Sequence, residues 1–224
     1  MVAVLEIKYD LIVVACSSSK RLIDITQRCI DSARQDTCNL NVIVVETFLQ
    51  TYAYEGCKIV EYRGEFNYNH ALNIGISHSK GDLLILANND LYFHPGWSDI
   101  GYLMHANGFE SASAYSSDHG KRGIRRAAEV WEGYNIGTLL TGWCLFVTRS
   151  CINKIGKLDE RVDFWYSDNV YADQIQAAGI RHGLFCNIQV DHLESQTLKT
   201  LTYRKQRKYS FDNKKKYASR QTIN

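Results

Sequence analysis

Short apolar runs that alternate with helical segments constrain the fold of this chain more than any other feature. Four such runs, residues 11–16, 41–46, 57–62 and 82–87, lie in the first half of the sequence. They have the length of strands, and they are almost continuously apolar, as strands are when both faces of a sheet are covered. The pattern therefore predicts a doubly wound α/β domain with a mixed, mostly parallel sheet flanked by helices.

The segments between and after these runs supply the helices. Residues 21–34 place apolar side chains at helical spacing on one face, and residues 67–82 predict a helix that ends near Gly81. The second half of the chain is less regular. There we expect a helix from Pro95 to about His105, strands at 111–116 and 142–148, and a helix from Ser167 to Ala178 that Gly179 stops.

Membrane-spanning and disulfide-bonded classes do not fit this sequence. The apolar runs are far shorter than the roughly 18 residues that a spanning helix needs, and the chain does not open on a signal-peptide pattern. The seven cysteines are odd in number and form no C-x-x-C pair, which is typical of reduced thiols. We therefore expect a soluble, cytoplasmic protein without a transmembrane segment.

Positive charge is concentrated at the C-terminus. Residues 201–224 contain eight Lys and Arg against one acid, Asp212, so this segment carries +7 in a chain whose net charge is +2. Aromatic residues are interleaved with the bases, which favours contact with an anionic membrane face, a nucleic acid or a partner protein. The alternative is a solvated, partly helical tail.

Polar residues follow the predicted strands at their carboxyl ends, where doubly wound sheets bind ligands. They are Cys16 and Ser17 after the first run, Glu46 at the end of the second, and Asn88, Asn89 and Asp90 after the fourth. No glycine-rich phosphate loop follows the first strand, so a bound nucleotide would need a divalent cation as partner of its phosphates. Asp90 offers a carboxylate for that cation and the two amides suit sugar hydroxyls, although Asn and Asp are also common turn residues.

Three blocks of sequence together resemble the family 2 glycosyltransferases, which have the GT-A fold. FNYNHALNIGISHSKGDLLILANND resembles the donor-binding half of that family, with its F-N start, N-x-G-I helix, G-D strand and N-N-D terminus in order. CLFVTRSCINKIGKLDERVDFWYSDNVYADQIQAAG resembles the acceptor-side segment, and VDHLES resembles the strand end with the histidine of the metal site. The resemblance implies one GT-A domain over residues 1–200, with a nucleotide-sugar-binding half at 1–107 and an acceptor half at 108–200, before a basic aromatic tail at 201–224.

The resemblance also implies roles for individual residues. It makes Asp90 and His192 the ligands of Mn²⁺ or Mg²⁺, and it makes Asp168 the catalytic base. The nucleotide side is formed by Cys16, Ser17, Glu46, Asn67, Asn73, Asn88 and Asn89. Asn88 stands where the family often has the first Asp of its D-x-D element. Two residues depart from the family pattern: Ser167 replaces the usual Glu beside the base, and Glu46 replaces the usual Asp that contacts the nucleobase.

The function implied is a metal-dependent, inverting transfer of a sugar from a nucleotide sugar, UDP-linked by family habit, to an acceptor hydroxyl. The acceptor is left open among a glycan, a lipid-linked molecule, a protein and a modified nucleic acid. A non-catalytic binding module of the same fold and a nucleotidyltransferase are the alternatives, although the Gly-rich loop of the latter is missing. By residue type alone, Asp168 also suits a helix cap, and a lone histidine near a strand end is more often an ordinary surface or core residue than a ligand.

Overall fold

The computed structural model describes residues 6–50, 52–193 and 203–221. Within them, nine strands form one sheet. The strands are β1 (Lys8–Ala15), β2 (Asn39–Glu46), β3 (Lys58–Glu61), β4 (Leu83–Asn88), β5 (Leu91–Phe93), β6 (Ser111–Tyr115), β7 (Val130–Glu132), β8 (Cys144–Thr148) and β9 (His182–His192). The helices are α1 (Lys20–Ala33), α2 (Tyr68–Ser77), α3 (Ile100–Asn107), α4 (Ser117–Lys121), α5 (Arg149–Ile155), α6 (Ser167–Ala177) and α7 (Tyr203–Gln221), and a 3₁₀ turn, Trp97–Asp99, precedes α3.

The sheet is mixed and mostly parallel, as predicted. Its order is β3-β2-β1-β4-β8-β6-β9-β5, and β7 pairs with β9 outside this path. Strands β3, β2, β1, β4, β6 and β9 run in one direction, whereas β8, β5 and β7 run in the opposite direction. The antiparallel β8 joins the parallel first half of the sheet to the second half.

Strand β1 shows why both faces of the sheet are covered. Leu11 and Val13 pack into the core cluster on the side of α1 and α3, whereas Ile12 and Val14 pack into the cluster on the side of α2, α5 and α6. Burial of each such side chain contributes about 1.5–3 kcal/mol. Gly75 lets α2 approach the sheet closely, because a Cβ at that position would lie 2.3 Å from Ile12 Cγ2.

The predicted elements are present with shifted ends. Helix α2 ends at Ser77 rather than near Gly81, because the chain turns there and the buried carboxylate of Asp10 accepts the N–H groups of Lys80 and Gly81. The prediction that Pro95 begins a helix is wrong. Pro95 lies in a turn, and Gly96 follows it in the left-handed conformation with φ of 87°.

The described residues bear on the expectations about membrane spans and disulfide bonds. None of the helices in the ranges given above is long and apolar enough to cross a membrane. All seven cysteines are free, which agrees with the prediction of reduced thiols.

Candidate active site

The pairing of β5 with β9 creates the proposed metal site. Asp90 lies in the two-residue turn between β4 and β5. Leu91, the next residue, is the register partner of His192, and the N–H of Leu193 donates to the carbonyl of Asp90 over 2.9 Å. This register brings His192 Nε2 to 3.1 Å from Asp90 Oδ1. The two residues predicted as metal ligands are therefore brought together.

The surroundings of this pair are largely removed from water. The side chains of His192 and Asp90 are 15% and 4% exposed. The ring of Trp143 stacks on the imidazole, with centroids 5.5 Å apart and an angle of 11° between the planes. Asn88 Nδ2 lies 3.5 Å from the same His192 Nε2. Charge placed here interacts more strongly than it would in bulk water, because the local dielectric constant is lower.

Tyr68 lies within electrostatic reach of both carboxylates of the predicted site. Its hydroxyl donates to Asn88 Oδ1 over 2.8 Å. Burial raises the pKa of this phenol, and the charges of Cys144, Asp90 and Asp168 raise it further. The charges of Asp90 and Asp168 therefore both raise the pKa of the Tyr68 hydroxyl, although the two residues belong to different halves of the chain.

Asp168 lies in the first turn of α6 and is not the helix cap. The N-cap position is occupied by Tyr166, whose side chain makes no capping hydrogen bond. Asp168 Oδ1 accepts the N–H of Asn169 over 3.0 Å. Burial raises the pKa of the Asp168 carboxyl above its ordinary value. A carboxyl held in this way is a stronger base when it is ionised.

One dipeptide, Gly142–Trp143, connects this carboxyl to the proposed metal site. A Cβ on Gly142 would lie 2.7 Å from Asp168 Cβ, so only a glycine permits this contact. The next residue, Trp143, is the one that stacks on His192. The contacts thus run from Asp90 through His192, Trp143 and Gly142 to Asp168.

The residues that were predicted to contact the nucleotide at the ends of β1 and β2 are hydrogen-bonded to one another. Glu46 is fully buried, and its carboxylate accepts the N–H of Ser17 over 3.0 Å, the Ser17 hydroxyl, and the N–H of Phe48 over 2.9 Å. Tyr54 Oη lies 2.7 Å from Ser17 Oγ, and the partly exposed Cys16 precedes Ser17. Because Glu46 is fully buried, a nucleobase could reach its carboxylate only if the surrounding side chains moved.

Asn67 and Asn73 of the α2 region hold the segment at 158–160. Asn67 Nδ2 donates to the carbonyl of Glu160 over 2.6 Å. Asn73 Nδ2 donates to the carbonyl of Leu158 over 2.8 Å, and Asn73 Oδ1 accepts the N–H of Leu158 over 2.9 Å. These amides join the first half of the chain to the segment that leads towards α6. Their contact with a nucleotide stays a prediction.

The two amides that precede Asp90 have different surroundings. Asn88 is partly exposed and contacts Tyr68 and His192. Asn89 is 5% exposed, and its Nδ2 donates to Thr26 Oγ1 of α1 over 2.9 Å. Asn88 is thus the one that contacts a proposed metal ligand, His192, whereas Asn89 anchors the turn on α1.

Sequence reasoning did not assign Tyr68, Gly142 or the stacking of Trp143 on His192. Tyr68 is part of the F-N-Y-N block, but nothing local in that block shows which strand end its hydroxyl reaches. Gly142 and Trp143 precede β8, and only the antiparallel pairing of β8 with β4 places them beside the carboxyl end of β4. The signal in the sequence that could have pointed to this turn was Gly142, a glycine just before the buried strand β8.

The donor set of Asp90 and His192 fits a divalent cation that also binds a diphosphate. No group of three or more His, Cys, Asp and Glu within residues 6–50, 52–193 and 203–221 is placed to hold a metal by itself. Mg²⁺ usually keeps several waters and takes one or two carboxylates together with substrate phosphates, and an imidazole suits Mn²⁺ as well. One carboxylate and one imidazole therefore suffice if a substrate diphosphate supplies the other oxygens.

The fold is that of the GT-A glycosyltransferases. The structure is similar to that of GalNAc-T7 solved with UDP, GalNAc and Mn²⁺, with a TM-score of 0.67 and 11% identity, over 83% of this chain and 43% of that one. It is also similar to the mannosyltransferase PcManGT from Pyrobaculum calidifontis in complex with GDP-Man and Mn²⁺, with a TM-score of 0.64 and 15% identity, over 85% of this chain and 58% of that one. The chain spans about half the length of these proteins. No family model and no curated protein sequence matches it.

Proposed function

We propose that this chain is a metal-dependent glycosyltransferase that moves a sugar from a nucleotide sugar to an acceptor hydroxyl. The observation that carries the proposal is the series of contacts that joins the Asp90–His192 pair to Asp168 through Trp143 and Gly142. It is supported by the two similar structures, which hold Mn²⁺ together with UDP or GDP-Man.

In this proposal, the metal site is made by Asp90 and His192. A bound Mn²⁺ or Mg²⁺ supplies Lewis-acid stabilisation of the charge on the departing diphosphate. Tyr68 fixes the amide of Asn88 by donating to its Oδ1, so that the Asn88 NH₂ group is directed towards His192. Trp143 holds the imidazole plane by stacking. These contacts keep the ligands in place before the donor binds.

The nucleoside of the donor is assigned to the carboxyl ends of β1 and β2. Cys16 and Ser17 follow β1 there, and Glu46 ends β2. The hydrogen bonds between Glu46 and Ser17 give this wall a fixed shape. We assign a UDP-linked donor on the basis of the family resemblance, and we assign Asn67 and Asn73, which hold the segment at 158–160, to the same donor.

Asp168 is assigned as the general base that takes the proton of the acceptor hydroxyl. Its raised pKa, caused by burial, strengthens it as a base near neutral pH. This assignment uses one carboxylate and no protein nucleophile. It corresponds to a single displacement with inversion at the anomeric carbon.

The acceptor is proposed to approach with a phosphate-bearing surface near α7. Arg207, Lys214 and Lys215 are exposed on this helix, and Phe211 between them is 57% exposed. Lysines and arginines around an exposed aromatic ring suit an anionic membrane face. Retention on anionic vesicles should fall steeply as salt rises, and stronger retention on duplex DNA would favour a nucleic-acid acceptor instead.

A screen of nucleotide sugars for thermal stabilisation, with and without Mn²⁺, tests the proposal. We expect one donor to raise the melting temperature in the presence of Mn²⁺ and not after chelation, since a ligand at about 100 times its Kd adds about 2.7 kcal/mol of stability. The same donor should then be transferred or slowly hydrolysed. If no nucleotide sugar stabilises the protein with Mn²⁺, the proposed function is wrong.

A non-catalytic module that binds nucleotide sugars is the second candidate. Ser167 stands beside Asp168 where the family usually has Glu, and Asn88 stands where it often has Asp. Both changes remove a carboxylate from the site. Metal-dependent donor stabilisation without any product, over a panel of sugar, lipid and nucleic-acid acceptors, would favour this candidate.

A further inference from the structure

The C-terminal helix α7 is attached to the segment at 163–166, which leads directly into α6. Asn213 of α7 has an exposed fraction of 0%, and its Oδ1 accepts the N–H groups of Asp163 over 2.6 Å and of Phe164 over 3.3 Å. Lys216 Nζ lies 2.6 Å from Asp163 Oδ2. Two side chains of α7 thus hold the beginning of this segment.

The other end of the segment also contacts α7. The rings of Tyr166 and Tyr217 stack, with centroids 5.3 Å apart and an angle of 17° between the planes. Tyr166 has φ of 70°, and it is the one non-glycine residue in the described parts of the chain with positive φ. Such a conformation costs about 1–3 kcal/mol and persists only where neighbouring contacts enforce it. The stacked ring of Tyr217 is such a contact.

On its opposite side, the same segment contacts the donor half. The N–H of Tyr68 donates to the carbonyl of Asp163 over 2.6 Å. The ring of Phe164 meets the ring of Tyr68 edge to face at 5.7 Å. The segment at 163–166 therefore lies between α7 and the tyrosine that orients Asn88, one residue before the helix that carries Asp168.

We propose that Asn213 is a positioning residue, which sets the start of α6 and thereby the place of Asp168 by holding the amides of Asp163 and Phe164. The C-terminal helix would then be part of the catalytic unit and not a separate basic tail. The consequence for sugar transfer rests on the proposed function. The mechanical link between Asn213 and the first turn of α6 does not.

Amide hydrogen exchange tests the link without any assay of activity. Asn213→Leu keeps the volume of the side chain and removes the acceptor, whereas Asn213→Asp keeps an acceptor. The amide of Val170 donates to the carbonyl of Tyr166 over 2.9 Å and reports on the first turn of α6. We expect Asn213→Leu to speed exchange at Phe164 and at Val170 about tenfold, since losing a hydrogen bond in a locally opening unit lowers its protection by that order.

The controls separate positioning from general destabilisation. Asn213→Asp should restore the parent exchange rates, and Lys214→Ala on the exposed side of α7 should leave them unchanged. If Asn213→Leu does not fold, Tyr217→Leu removes the stacking on Tyr166 instead and should speed exchange at Val170. Faster exchange that stops at Phe164 and does not reach Val170, in either variant, would overturn the inference.

Kinetics with the donor found in the thermal screen give a second readout. Asn213→Leu should lower kcat about tenfold or more and leave the donor KM unchanged, with recovery in Asn213→Asp, because a displaced base affects the chemical step. Equal losses in kcat and in donor affinity would contradict positioning. If the parent protein transfers no sugar, the proposed function is wrong. The hydrogen-exchange rates would still show whether α7 positions α6.

Discussion

Asp168 is the residue on which the proposed reaction depends most directly. It is held in the first turn of α6, against Gly142, and its pKa is raised by burial. Its carboxylate uses one of its oxygens to accept the N–H of Asn169. The other oxygen is the one we assign to the acceptor proton.

We expect Asp168→Asn to lower the rate of transfer by about 10² to 10⁴, because the amide cannot accept a proton. Donor binding in the presence of Mn²⁺ should be unchanged, as measured by calorimetry. Asp24→Asn on the exposed side of α1 is the charge-matched control and should transfer at the parent rate. Transfer at the parent rate by Asp168→Asn would show that the base lies elsewhere.

The proposed metal ligands are tested by substituting each of them. Asp90→Asn and His192→Gln should each remove the additional thermal stability that Mn²⁺ gives to the donor complex, because the cation loses one of its two protein ligands. His94 forms a comparable pair with Asp191 at 2.8 Å outside the site. His94→Gln should keep the full Mn²⁺ effect, measured by thermal unfolding with donor, so loss of the effect in that variant as well would speak against a specific site.

Among the elements, the turn before β8 contacts both α6 and the proposed metal site. Gly142 contacts Asp168, and Trp143 contacts His192. The neighbouring Thr141 is held by its N–H, which donates to Ser113 Oγ over 3.1 Å. This turn cannot move without changing both contacts.

Gly142→Ala tests this arrangement. The added methyl would lie 2.7 Å from Asp168 Cβ, so α6 must shift. We expect a loss of about 1–3 kcal/mol in the free energy of unfolding and a fall in kcat at unchanged donor affinity. Gly120→Ala, whose Cβ would meet the Tyr115 hydroxyl at 3.1 Å, serves as the control and should keep kcat. Full activity in Gly142→Ala would mean that the contact with Asp168 does not matter.

The sequence predicted those helices and strands that are encoded by a pattern of neighbouring residues. Strands β1, β2 and β4 are continuous apolar runs, and α6 is closed by Gly179, so their existence followed from the sequence. Strand β5 was not predicted, because three residues after a polar turn carry no periodic signal. Its pairing with β9 depends on residues far apart in the chain.

In the candidate site, too, some features could be predicted from the sequence and others depend on residues that are far apart in the chain. Asp90, Asp168 and His192 were chosen from the sequence blocks that resemble the GT-A family. The hydrogen bonds of Glu46 to Ser17 depend on how close the ends of β1 and β2 come, which composition does not show. The left-handed Tyr166 was equally invisible, because propensity alone assigns no tyrosine to that conformation.

Across the whole molecule, a buried histidine links the second half of the sheet to α6 through Ser111. His182 of β9 is fully buried, with Nδ1 2.7 Å from Ser111 Oγ and Nε2 3.2 Å from the carbonyl of Leu139. The Ser111 hydroxyl also lies 2.7 Å from the hydroxyl of Tyr171 in α6. Burial lowers the pKa of His182 to about 4. The neutral imidazole is thus part of the core.

The protein should lose stability in acid through this group. Because the folded pKa of about 4 lies below the unfolded value near 6.5, the contribution is complete above pH 6.5 and is lost as the pH falls towards 4. We expect a loss of about 2 kcal/mol between pH 7 and pH 5, measured by denaturant unfolding. His182→Gln should be less stable at pH 7 and should lack this part of the acid loss, whereas His105→Gln on the exposed side of α3 should retain it. An unchanged pH dependence in His182→Gln would contradict the assignment.

We propose that the cation site of Asp90 and His192 and the carboxylate of Asp168 face each other across a bound sugar. A crystal structure of the protein with Mn²⁺ and the nucleotide sugar selected by the thermal screen tests it most directly. We expect a cation on Asp90 and His192 that also binds the diphosphate, with the anomeric carbon turned towards Asp168. A cation held by other residues, or a sugar that lies away from Asp168, would contradict it.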